Sequence, residues 1–500
     1  MEFLTPEEKR WRTVRFITGY ILIAIAILLA TFIAALLVQG YQITNRNSIV
    51  QNGLVNVASQ PVSAEVLLNG QKVDNTPSRL DINEGTYELR LQANNYRSWQ
   101  KSFNLPGGSV RYFVYPKLIP NNISLSEMTT FEKTPLWASS SPDRHWVVSK
   151  QPTDNSVSFS VFDTTKASST NETGRTQQIS IPQTTLVGTA GAYGNVEPVE
   201  WSDDNRHLLL LQTLPTGEKA YIVLDREKPE NSQNITKLFG LSASQSVALR
   251  DKKFNKFYIL AKDTGQLTSR DSKDLNVNEN IAESVVSYKS YGNDIVAYVT
   301  YQNALETEAK VVVKENQKNI YYLQSIKRNP DGRYLIDMAK YDGDWFYAVS
   351  SPVENRVRLF INPLSSNSPG SSLQIKPKLS IPIESPKFIS FSDNARFIMA
   401  QNANNFAVYD GELKTTYRYS LVNKIAETQE VKWMDGHRLK FVDSFKGYIV
   451  EFDGTNQQEL ITSLPNNSFN MFFDRDYEFV FAYQSDAAKN SLQAGSLVAR

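Results

Sequence analysis

The residues best equipped for chemistry are three histidines, His145, His207 and His437, and two recurring sets of aspartates. Three imidazoles suit a zinc ion, and paired carboxylates suit general acid–base work. Their spacing argues otherwise. Each histidine follows one recurring phrase, SPDRHWVVS from Ser141, WSDDNRHLLLLQ from Trp201 and WMDGHRLKFV from Trp433, with a further copy, FSDNARFIMAQ, from Phe391. The histidines are therefore expected at the same place in the first, second and seventh repeats, which are not all neighbours, as turn residues that do not face one point. Asp143, Asp204, Asp393 and Asp435 open the turns of those phrases, where an aspartate accepts backbone N–H groups two residues on. A second set, Asp163, Asp225, Asp410 and Asp453, closes apolar strands farther along. No G-x-S-x-G elbow, phosphate-binding G-x-x-x-x-G-K-[ST] loop, H-E-x-x-H helix or calcium loop occurs. The expectation is a protein without catalytic residues, metal or cofactor.

The elements that carry these residues are pairs of apolar strands joined by a tight turn, each pair followed by another strand. Trp201, Phe391 and Trp433 take equivalent places as packing residues, whereas Trp137 falls outside that register. One such four-stranded unit cannot bury both faces alone, so a chain that repeats it stacks the copies around an axis as a β-propeller. Turns near Asp143, Asp204, Asn255, Asn293, Asp342, Asp393, Asp435 and Arg475 favour eight blades, with seven the alternative. The last blade has its third strand at residues 494–499 and takes its fourth from about residues 122–128, which pairs the two ends and removes exposed edges.

Five hundred residues require more than one domain. Basic and acidic residues nearly cancel, 53 against 52, so no electrostatic case for nucleic acid exists. Cysteine is absent, which removes disulfides, thiolate metal sites and a lipidated cysteine. Residues 16–38, opened by Phe16 and closed by Val38, carry no charge. At about 1.5 Å per residue they reach roughly 34 Å, enough to cross a bilayer core of about 30 Å, and too long for a cleaved signal region. Lys9, Arg10, Arg12 and Arg15 precede this run and only Arg46 follows closely, which predicts a cytoplasmic tail over residues 1–15 and everything after the helix outside. The lipid bilayer is thus the first expected partner, through one helix.

Residues 39–52 read as a polar spacer, and residues 53–118 as a small β-sandwich. Asn69 and Gly70 form a hairpin turn between strands at 64–68 and 71–73, because both positions accept positive φ. Tyr87, Leu89 and Leu91 share one strand face, and a last strand covers 109–115. This segment resembles a PEGA domain in Pro61, Ala64, Asn69, Gly70, Thr76, Pro77, Gly85, Tyr87 and Tyr96, with Ser63 and Asn95 where that pattern has glycine. The resemblance implies a prokaryotic cell-surface setting and says little about activity. Residues 121–500, read as the propeller, resemble TolB-type blades in their W-S-P-D-G-K-like turns.

The expected fold is therefore mostly β: one transmembrane helix, a PEGA-like sandwich and a propeller. Its expected function is a non-catalytic binding or scaffold protein of a cell envelope, with an envelope protein as partner. A cell-wall or capsule glycan is the alternative ligand. A hydrolase or lyase acting in the propeller channel is a second alternative, to be recognised by a convergent cluster of carboxylate, basic and aromatic residues there. The expected contact loop is residues 186–197, LVGTAGAYGNVE, with Tyr193 between Gly191 and Gly194. Longer polar loops are expected at 264–279 and 364–378. Trp99 and Phe103 are expected to pack in the sandwich rather than to stack on sugar.

Overall fold

The structure, a computed structural model, describes residues 6–38, 41–43, 49–153, 155–168, 175–292, 294–316, 318–365, 367–466, 469–485 and 489–499. The chain divides into two compact units, the second spanning Ile123–Leu497.

Helix α1 covers Pro6–Val38, so Arg10, Arg12 and Arg15 form its first turns rather than a separate tail; the Lys9 side chain lies outside the described residues. Its candidate spanning stretch, Arg10–Ala35, has no buried residue. The hydroxyls of Thr18 and Thr31 donate to the carbonyls of Val14 and Ile27, both at 2.8 Å, so neither needs an outside partner.

Two four-stranded sheets make the sandwich. In one, Ile49–Val57 pairs with Tyr41–Ile43, with Ser78–Asn83 and, in parallel, with Val110–Phe113. The other runs Gln71–Asn75, Glu65–Leu68, Gly85–Gln92, Trp99–Leu105. The spacer expected over 39–52 is thus strand at 41–43 and 49–52; its residues 39–40 and 44–48, Arg46 among them, lie outside the described residues. Val55, Val66, Leu89, Leu91, Leu105 and Trp99 fill the core, and the Trp99 ring meets Phe113 and Tyr115 edge-on. Asn69 and Gly70 have φ of 50° and 82°, the left-handed pair that such a hairpin requires. Ser63 and Asn95 are also left-handed, at 66° and 65°, which explains glycine at those places in the PEGA pattern.

The second unit is a β-propeller. Among the described residues it has eight four-stranded antiparallel sheets, seven of them simple meanders. Sheets 1 to 7 cover 137–180, 195–234, 245–282, 285–327, 335–382, 388–420 and 432–461. Sheet 8 joins Phe472–Phe473, Phe479–Ser485 and Asn490–Ser496 to Leu125–Phe131. The returning strand is the one expected from the start of the unit, whereas the third strand starts at Asn490 rather than Ala494. Apolar cores lie between neighbours, and one containing Val147, Phe162, Phe481 and Tyr483 joins sheet 8 to sheet 1. First strands of neighbouring sheets adjoin, so they line the interior of the ring. The stretch 264–279 is not a loop: Gln266–Asp271 is a strand of sheet 3. In 364–378, Ile375 lies along the outer strand of sheet 4 and exchanges backbone hydrogen bonds with Tyr322 and Gln324. The turn near Asn293 contains a residue outside the described ones.

Candidate functional site

In sheets 1, 2 and 6 the basic residue after the turn and the aspartate that ends the third strand are partners. The register sets Trp146 opposite Asp163, His207 opposite Asp225 and Phe397 opposite Asp410. The preceding residue, His145, Arg206 or Arg396, then reaches the acid. Arg206 grips Asp225 with Nε and Nη2 at 2.7 and 2.5 Å, and Arg396 grips Asp410 at 2.9 and 2.7 Å. His145 Nε2 lies 3.1 Å from Asp163. Backbone N–H groups of the next turn, those of Glu227 and Lys228 or Glu412 and Leu413, complete the carboxylate. Burial raises the Asp225 carboxyl, but Arg206 and the backbone donors outweigh it and hold it below the ordinary carboxylate value. These aspartates are structural clamps.

Sheet 7 departs from this pattern because its turn is one residue shorter. Arg438 faces Glu451 in the register and donates to Asp435 at 2.6 Å. The buried acid of this strand is Glu451, and the strand stops there rather than at Asp453. The histidines are not equivalent: His145 and His437 precede the paired residue, whereas His207 is that residue. His207 bonds Asp204 at 2.6 Å and stacks on Phe254 with centroids 3.9 Å apart. Among the described residues no group of three or more His, Cys, Asp or Glu is placed to hold a metal ion.

Burial among aromatic rings pushes His437 down to about 4, although Asp435 acts in the other direction. The folded value lies below the unfolded one, so the unfolded chain binds the proton first. Stability from this group is complete above about pH 6.5 and is lost as the pH falls toward 4. His437→Gln is expected to flatten the fall in thermal midpoint between pH 6.5 and 4, measured by circular dichroism. An unchanged slope would remove His437 as its source.

The turn aspartates mostly cap their turns: Asp204 Oδ1 accepts the N–H groups of Arg206 and His207, and Asp435 Oδ1 those of His437 and Arg438. In sheet 6 the cap is Asn394, at the place of Asp204, and it accepts the Arg396 N–H; Asp393, at the place of Asp203, pairs with Arg144 of sheet 1. This pair skips sheets 7 and 8 and borders a pit of about 200 Å³ lined by Ser140, Arg144, Asp393, Trp433, Lys440 and Phe472. Arg144 lies 4.5 Å over the Tyr477 ring, and Lys440 donates to the Met471 carbonyl at 2.8 Å beneath Phe472 and Phe473. Burial first, then Lys432, pushes Lys440 down to about 7. Burial raises Asp393 by more than Arg144 lowers it.

Two further ion pairs on the ring interior join neighbouring sheets. Lys289 meets Asp337 at 3.3 Å, and Lys252 meets Glu200. The same carboxylates accept the Phe391 and Leu249 N–H groups. They act as joints between sheets.

Tyr193 belongs to the core. Its side chain is 6% exposed and packs between sheets 1 and 2. The buried amide of Gln212 donates to the carbonyls of Val187 and Tyr193 and accepts the Val187 N–H, so the loop is held from within. A Cβ on Gly194, where φ is 65°, would meet the Thr213 carbonyl at 2.1 Å; Gly194 therefore serves chain packing. The exposed tip is residues 188–192, with Gly191 in open space apart from the Asn155 side chain. The expectation of a contact role for the Tyr193 ring is corrected accordingly.

Comparison with known proteins assigns the first unit. Residues 52–112 match the family model of the PEGA domain. The PEGA match takes in the sandwich from residue 52 to residue 112, without the strand Tyr41–Ile43, and leaves the propeller to its own topology. Similar solved structures include the β-propeller domain of Cps50 (Swd1) from Myceliophteria thermophila, at 13% identity over 66% of this chain and 97% of that one, TM-score 0.38. The protein lmo1340 from Listeria monocytogenes EGD-e matches at 11% identity over 69% and 93%, TM-score 0.40. Kluyveromyces lactis Hsv2 matches at 11% over 60% and 98%, TM-score 0.36. No curated protein matches the chain.

Proposed function

We propose that this chain is a membrane-anchored, extracytoplasmic binding or scaffold protein of a prokaryotic cell envelope. Helix α1 is the anchor, the PEGA domain the membrane-proximal module, and the propeller the surface that binds another envelope protein. The observation that carries the binding reading is the pit bordered by Arg144 and Asp393. It gathers carboxylate, basic and aromatic groups, the combination expected of an enzyme. Its carboxylate, however, is held by a guanidinium, and about 200 Å³ is below the roughly 300–1,000 Å³ of small-molecule sites. Arg144, with Lys440 beside it, suits a single carboxylate side chain of a protein partner, with Trp433, Phe472 and Phe473 as the apolar lining.

A photo-crosslinking residue at position 140, activated in intact cells, should give one dominant protein adduct, reduced about tenfold by Lys440→Glu. An adduct that Lys440→Glu leaves unchanged, or label found only on cell-wall sacculi, would overturn the pit as the contact.

A further inference from the structure

Between sheets 5 and 6 the apolar filling of Val357, Leu359, Ile381, Ala400 and Ala407 stops short, and a cleft of about 600 Å³ opens beyond it. The register shows which side chains enter. Ala407 is buried against sheet 5; Arg418 is its cross-strand partner, and Ser420 pairs with Asn405, so all share that face with Asn402. Asn355 joins them from sheet 5.

Much of their hydrogen-bonding capacity is unspent. Ser420 donates to Asn405 Oδ1 at 2.6 Å, which leaves the Asn405 amide N–H₂ free, and Asn402 donates to the Glu384 carbonyl at 2.9 Å, which leaves its Oδ1 as an acceptor. Among the described residues the Asn355 amide and the Arg418 guanidinium have no side-chain partner. Pro382, Ile383 and Ala407 supply a small apolar floor, while the Phe406 ring is buried and stacked on Tyr419.

We propose that this cleft binds a saccharide bearing a carboxylate. Each sugar hydroxyl both donates and accepts, and three amides and a hydroxyl on facing walls answer both needs. The Arg418 guanidinium beside them offers the fork that fits a carboxylate. Its volume falls within the range of small-ligand sites. A peptide bound by strand addition needs alternating side-chain pockets, and these walls are amide and guanidinium. Glu384, the other charged group of the lining, is exposed and contributes its carbonyl to Asn402. This cleft is separate from the pit and does not depend on that reading.

Calorimetry on the full chain in detergent tests it, with trigalacturonate, maltotriose and a hexa-aspartate peptide as titrants. Trigalacturonate should bind at least about tenfold more tightly than either other titrant, and Arg418→Met should weaken it by about tenfold or more, with Arg418→Lys between. Arg418 is exposed, so the variant should melt with the parent. Lys440→Glu, which disables the pit, should bind trigalacturonate normally. Equal binding by Arg418→Met, equal affinity for maltotriose, tighter binding of the peptide, or no trigalacturonate binding would each overturn the proposal.

Discussion

Asp410→Ala is expected to destabilise the propeller by about 3–5 kcal/mol, because it breaks a buried ion pair on one side only. Asp410 is fully buried and accepts four hydrogen bonds, two from Arg396 and two from the turn N–H groups of Glu412 and Leu413. Arg396 would keep Glu412, 2.5 Å from Nη1, but that acid is far more exposed. Arg396→Met with Asp410→Leu removes both charges, and its cost should fall below that of the single change. Denaturant unfolding followed by tryptophan fluorescence reads both variants against the parent. A single variant within 1 kcal/mol of the parent would mean that the clamp is decorative.

Trp201→Ala is expected to cost about 3–5 kcal/mol by leaving a cavity between sheets 1 and 2. The ring is 7% exposed, packs with the core that includes Tyr193 and Leu208, and donates from Nε1 to Ser139 of the neighbouring sheet at 2.9 Å. Trp433 bridges sheet 7 to sheet 6 in a related way, donating from Nε1 to the Ser390 carbonyl at 3.3 Å. Trp201→Phe keeps most of the volume and loses the hydrogen bond, for about 1 kcal/mol. Leu275→Ala, at a side chain 60% exposed, should change stability by less than about 0.5 kcal/mol. Equal losses at 201 and 275 would contradict the packing assigned to the tryptophan.

Local chemistry was legible in the chain, and pairing across distance was not. Turn residues announced the hairpins because Asn69, Gly70 and the phrase aspartates have conformational duties that sequence neighbours reveal. The clamps were half visible: the basic residue and the terminal aspartate both stood out, but their meeting depends on strand register. A one-residue shift separates His207 from His145 in that register. Asp393 and Arg144 are 249 residues apart, and the only local hint was Asn394, which takes the cap's place in the turn. Tyr193 misled because glycines on both sides resemble an exposed loop. Gln212 was the available warning, since an amide inside the apolar strand HLLLLQT needs a buried partner, and here it binds the loop backbone. The strand at 49–57 was partly missed because its first residues are polar enough to pass for a tether.

Protease added to intact cells, or to spheroplasts where an outer barrier intervenes, tests most directly whether α1 anchors the propeller outside the cell. With Arg10, Arg12 and Arg15 before the apolar run, a tag at the N-terminus should survive while the chain beyond residue 40 is degraded. A protected propeller with a digested tag would contradict it.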